Sequence, residues 1–156
     1  RLYPILRDAE LRKHAWNFAK ERVQLAQIAT SPTSGFDYAY QLPSDNLRVL
    51  RVYDSDADTG VQQYEVKGDQ ILFNATTCWL VYIKQVTDPN DMDVLFREVL
   101  ATRMAQDLAI PIAANRGMAQ EQRAEYKSLL RTARSVDAIE DWPEAFPESS
   151  WVAARN

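Results

Sequence analysis

The chain has 156 residues, of which 46% are hydrophobic, and 18 Lys and Arg against 22 Asp and Glu leave a net charge of −4. That is an ordinary globular balance, long enough for one domain with a sizeable core, and it argues against a dedicated nucleic-acid binder. No apolar run approaches the ~20 residues that span a bilayer, and no basic start followed by an apolar stretch marks a secretory signal.

Leu2, Ile5, Leu6 and Ala9 fall at i, i+3, i+4 and i+7, with Trp16 on the same side, and predict a helix ending by about Lys20. Pro4 suits the first turn of such a helix. Arg22 to Ile28 alternates as a strand, and Thr30-Ser31-Pro32-Thr33-Ser34-Gly35 is a loop by composition. Tyr38-Ala39-Tyr40 predicts a short strand and Pro43-Ser44-Asp45-Asn46 a turn. Leu47 to Tyr53 is a strand, followed by an acidic loop from Asp54 to Gly60. Tyr64-Glu65-Val66 and Ile71-Leu72-Phe73 flank Lys67-Gly68-Asp69 as a hairpin. Trp79 to Val86 is the clearest strand, with Trp79, Val81 and Ile83 on one face and Leu80, Tyr82 and Val86 on the other. Both faces are apolar, so this strand should be covered on both sides.

Asp88-Pro89-Asn90-Asp91 is a helix-start signal. The helix it opens should run from about Asp91 to Ala109, with Met92, Leu95, Phe96, Val99 and Leu100 as its stripe, and end at Pro111. Met104, Ala105 and Leu108 widen that apolar arc. A last helix from about Met118 to Ile139 turns Tyr126, Leu129, Leu130 and Ala133 inward. The segments Asp141-Trp142-Pro143 and Phe146-Pro147 exclude regular helix beyond it. The pattern is α+β: one N-terminal and two C-terminal helices with an inserted antiparallel sheet and an extended C-terminal tail. We read a single domain, divided into a helix over 1–20, a β block over 21–87, helices over 88–140 and a tail over 141–156.

The single cysteine, Cys78, lies in an apolar stretch and reads as a buried small hydrophobe. The single histidine, His14, leaves too few soft ligands for an ordinary zinc site, and no Gly-x-Ser-x-Gly elbow accompanies it. A satisfied or solvated histidine is the better reading. Asp54, Asp56, Asp58 and Glu65 match positions 1, 3, 5 and 12 of a calcium loop. Thr59 stands where the sharp-turn glycine belongs, and the flanks read as strands, so an acidic hairpin loop is favoured. Arg123, Lys127, Arg131 and Arg134 form a basic stripe within about an 80° arc. It reads as a solvated face or subunit contact sooner than a phosphate-binding face. Trp142, Phe146 and Trp151 either fold back on their own domain or anchor the tail onto a partner. No catalytic constellation and no cofactor motif emerges.

A further pattern lies in Trp16-Asn17-Phe18-Ala19, Arg22 and Leu25, continues in Tyr38-Ala39-Tyr40, Leu42-Pro43, Asp45 and Leu47-Arg48-Val49-Leu50, and returns in Asp88-Pro89, Leu95-Phe96, Leu100-Ala101 and Ala109-Ile110-Pro111. Together these resemble the tail tubular proteins, or head-to-tail adaptors, of tailed bacteriophages, especially short-tailed ones. The resemblance covers most of residues 14 to 139. Asn46 stands where family members often carry a small residue or Cys.

The resemblance implies a helical bundle carrying an antiparallel β element. It also implies a structural, non-enzymatic virion protein of the neck, made in the bacterial host cytoplasm. Such a protein forms a homo-oligomeric ring, a dodecamer, beneath the portal protein and receives the tail nozzle or tail tube protein below. Phage DNA would pass through its lumen without sequence-specific binding, and no membrane is involved. Trp142, Phe146, Trp151, Arg123, Lys127 and Arg131 are the expected partner or subunit contacts. Apolar residues on both faces of Trp79–Val86, the broad helix arc and the aromatic tail lead us to expect more apolar surface than one core needs, which a closed ring would hide. The alternatives are a virion-associated cell-wall hydrolase, a calcium-binding module at Asp54–Glu65, and a DNA-binding regulator using the basic stripe.

Overall fold

A computed structural model describes residues 2–30, 32, 35–56, 63–113 and 116–140. Three helices flank two antiparallel three-stranded sheets. They are α1 (Leu2–Lys13), α2 (Val94–Ala113) and α3 (Arg116–Glu140). The strands are β1 (Lys20–Gln24), β2 (Tyr38–Gln41), β3 (Asn46–Tyr53), β4 (Glu65–Lys67), β5 (Gln70–Phe73) and β6 (Trp79–Lys84). The expected α+β order of one leading helix, inserted strands and two closing helices is present. The inserted strands divide into two sheets, ordered β1-β6-β3 and β2-β5-β4.

The helices pack on one face of the β1-β6-β3 sheet, through Ala19, Ile83 and Val86 against Leu6, Leu11, Trp16, Phe96, Val99 and Leu100. The opposite face, carrying Val23, Val52, Leu80 and Tyr82, meets the second sheet through Tyr40, Ile71 and Phe73. The first sheet is therefore the middle of three layers. This is why β6 reads apolar on both faces, as expected. Val86 lies beyond the end of β6 and joins the helical core, not the Leu80 face assigned to it from sequence.

Several boundaries differ from the sequence pattern. The first helix stops at Lys13, well before Lys20. The Trp16 indole donates to the Glu10 carbonyl at 3.1 Å, satisfying an orphan acceptor of the last turn. Residues Asn17–Ala19 then form a 3-10 turn leading directly into β1. The buried face of α1 is Leu6, Arg7, Glu10 and Leu11, while Ile5 is 67% exposed and Ala9 is exposed. The stripe is rotated from the expected one because Glu10 finds charged partners in the interior.

The alternating run Arg22–Ile28 serves two sheets. Residues 20–24 pair with β6, whereas Gln27 bridges Tyr40 and the Ile28 amide donates to the Ala39 carbonyl at 2.8 Å. At the start of α2, Asp88 caps only the 3-10 turn Pro89–Asp91. The helix itself is capped by Asp93, whose Oδ1 accepts from the Leu95 and Phe96 amides at 2.8 and 3.1 Å. It runs to Ala113, past Pro111. Proline removes one bond of the ladder, and a helix can continue beyond that loss when it packs along its length on a neighbour, as α2 does on α3. The β4–β5 hairpin turns at Gly68, whose φ of +63° is open to glycine at little strain.

Candidate functional site

Two polar constellations join α1 and its following segment to the helical hairpin. The first surrounds Glu10, which is 0% exposed. The Tyr126 hydroxyl lies 3.1 and 2.9 Å from the two carboxylate oxygens. The Lys13 ammonium donates to Glu10 Oε1 at 2.5 Å and to the Tyr126 oxygen at 3.2 Å. Arg103 Nε lies 3.7 Å from the same Oε1, and Arg103 Nη2 pairs with Asp107 at 3.2 Å. The Tyr126 ring has Lys13 on it at 5.6 Å and Arg103 at 5.8 Å. Burial works to lower the Lys13 pKa, but its bonds to Glu10 and Tyr126 outweigh that and raise it. Burial raises the Tyr126 pKa, with Lys13 opposing and Glu10 adding. Glu10 is sealed from solvent and its charge is matched, so the arrangement works as a clamp between three helices.

The second constellation is built on Asp137 near the end of α3. Its Oδ2 lies 2.9 Å from His14 Nε2, its Oδ1 accepts from the Asn17 amide at 2.9 Å, and its carbonyl accepts from Asn17 Nδ2 at 2.6 Å. The His14 ring meets Trp16 edge-on at 4.7 Å. His14 is thus a satisfied histidine, as read from sequence, though it lies just past α1 and not in the helix.

Beside Asp137 opens a groove of about 240 Å³ lined by Asn17, Phe18, Asp91, Met92, Asp93, Val136, Asp137 and Glu140. Four of these eight are carboxylates and none is Lys or Arg. Val136 in its lining is 38% exposed, and Ile139, the residue before Glu140 on α3, is 79% exposed. On the outer side of α3 a shallow hollow is lined by Ser128, Arg131, Thr132, Ser135 and Val136.

The other sequence candidates fall as follows. Arg123, Lys127 and Arg131 are exposed on α3, whereas Arg134 is half-buried with its Nε lacking a hydrogen-bond partner. Asp56 pairs with Arg22 at 3.2 Å, and the Arg22 guanidinium lies over the rings of Tyr53 and Trp79. The Asp54 carbonyl accepts from Thr77 Oγ1. Glu65 stands exposed on β4 opposite Leu72, and Asp58 lies outside the described residues. Among the described residues no group of three His, Cys, Asp or Glu is placed to hold a metal. Burial pushes the Cys78 thiol up to about 12, so it is a core group and a poor nucleophile. Trp142, Phe146 and Trp151 lie outside the described residues. No described helix is long and apolar enough to cross a membrane.

The sequence reading missed the Glu10 clamp and the acidic groove. A signal for the clamp was present, since Glu10 lies at i+4 from Leu6 and three residues before Lys13. The groove had none, because its carboxylates come from segments more than forty residues apart.

No protein-family model matches this chain, and no curated protein matches it.

Proposed function

We propose that the protein is a structural, non-enzymatic head-to-tail adaptor of a tailed bacteriophage, assembling as a ring on the portal and continuing the DNA channel toward the tail. The observation that carries this reading is the order of elements. A leading helix, a block of antiparallel strands and a closing helical hairpin is the bundle with an inserted β element that the resemblance implies. The residues of the resemblance also lie at structurally decisive places. Trp16 and Phe18 meet Phe96 in the helical core, and Asn17 is held by Asp137.

One copy covers more of its own apolar surface than the sequence led us to expect. Leu80, Tyr82 and Ile83 are covered within one copy, because the second sheet and the helices take the two faces of β6. Among the described residues, the large apolar side chains left exposed are Ile5, Val66 and Val94 on α1, β4 and α2, and Met118, Val136 and Ile139 on α3. The net charge of −4 suits a channel component that lets DNA slide, since each phosphate neutralised would slow its passage. Electron microscopy of the full chain mixed with the portal protein of the same genome tests the proposal. Rings stacked on the portal are the expected result; two unassociated species would overturn it.

A further inference from the structure

The outer flank of α3 carries an unpartnered charge pattern. Arg123, Lys127 and Arg131 are exposed, and among the described residues none of the three makes an ion pair; Arg131 Nε reaches only the Lys127 carbonyl at 3.3 Å. At about 100° per residue they share an arc of about 80°, and Val136, on the rim of the acidic groove, comes about 180° round the helix from Lys127. Arg131 and Val136 also line one hollow, so the basic flank and the groove are different patches that meet along α3. In the groove, Asp91 and Glu140 are exposed and, among the described residues, make no ion pair, although Asp91 is near enough to Lys84 to help raise its pKa; Asp93 is engaged in capping α2.

A contact that laid the basic flanks of two copies on each other would repel. A head-to-tail contact places it on the opposite charge. We infer that the α3 flank of one copy, through Arg123, Lys127 and Arg131, docks on the groove of a second copy, against Asp91, Glu140 and the Val136–Ile139 rim. This rests on the adaptor reading and names the contact that would propagate its ring. In the ring that the adaptor reading requires, this contact repeats head to tail from copy to copy; association that stops at a dimer would mark a reciprocal two-fold pairing and overturn it.

Sedimentation velocity on the full chain tests it. The wild type should self-associate at low salt, and about 0.5 M NaCl should weaken this by about tenfold, since rim charges are screened. Arg123→Glu, Lys127→Glu and Arg131→Glu together should give a monomer, as should Asp91→Lys with Glu140→Lys. Mixing these two chains makes both contacts complementary, native flank on native groove and Glu flank on Lys groove, and should restore association in alternating order. Circular dichroism reports whether each variant folds, and Arg123→Gln, Lys127→Gln and Arg131→Gln stand in if charge reversal unfolds the chain. A monomeric wild type, undiminished association of the variants, or a mixture that stays monomeric would each overturn the contact. So would salt-sensitive DNA binding by the flank without self-association. If variants that fail to self-associate still form rings on the portal, the contact falls and the adaptor reading stands. If the contact behaves as described and no ring meets the portal, the adaptor reading falls instead.

Discussion

Glu10 shows how one side chain can decide where a helix lies. A carboxylate with no exposure is tolerated only with its oxygens satisfied and its charge matched, and Tyr126, Lys13 and Arg103 do both. Glu10→Ala should lower stability by about 2–4 kcal/mol in urea unfolding, and Glu10→Gln, which still accepts from Tyr126, by less. The pH dependence lies on the alkaline side. Cys78 is raised from 9.0 to about 12 and Lys13 is raised from 10.5, so the folded chain holds these protons more tightly than the unfolded chain. Their contribution is fully present below the unfolded values and is lost as pH climbs through the folded ones. Stability measured from pH 8 upward should fall first above about 9, and Cys78→Ala should remove that earliest part of the decline. The thiol role was legible from its apolar neighbours. Of the Glu10 partners only Lys13, three residues on, lay within reach of a local pattern; Tyr126 lies 116 residues away.

At the scale of elements, existence was easier to read than limits. Hydrophobic period located all three helices and most strands, since period reflects which side faces the core. Ends are set by single polar contacts that periodicity does not carry. Trp16 stops α1 by taking the Glu10 carbonyl, and Asp93, not Asp88, starts α2. Asp93→Ala should therefore cost about 1 kcal/mol, and Asp88→Ala, which loosens only a 3-10 turn, distinctly less; chemical denaturation of the two variants checks the order. The run Arg22–Ile28 kept its alternation while changing partners midway. A sequence shows that a strand is half-buried, but not that its two halves belong to different sheets.

For the whole molecule, the middle position of the β1-β6-β3 sheet couples the two cores. Leu80 and Ile83 are adjacent in that sense though they point into different cores. Leu80→Ala and Ile83→Ala should each cost about 2–4 kcal/mol, and both should shift one shared transition. Circular dichroism and tryptophan fluorescence recorded on the same samples should give coincident midpoints; a separate transition for either core would contradict the coupling. The layering also explains why the apolar faces of β6 gave a false impression of surface awaiting a neighbour. A strand buried inside one chain and a strand buried between chains have the same composition. The acidic groove was unreadable for a related reason, being assembled from Asn17, Asp91 and Glu140 only when the layers close.

The bonds from His14 and Asn17 to Asp137 span 123 and 120 positions of the chain. On a ribosome, α1 waits for this latch until the strands, α2 and nearly all of α3 have been synthesised. Until then α1 is held only by its packing on α2 and the β1-β6-β3 sheet, so the last turn of α3 is the step that locks these layers together.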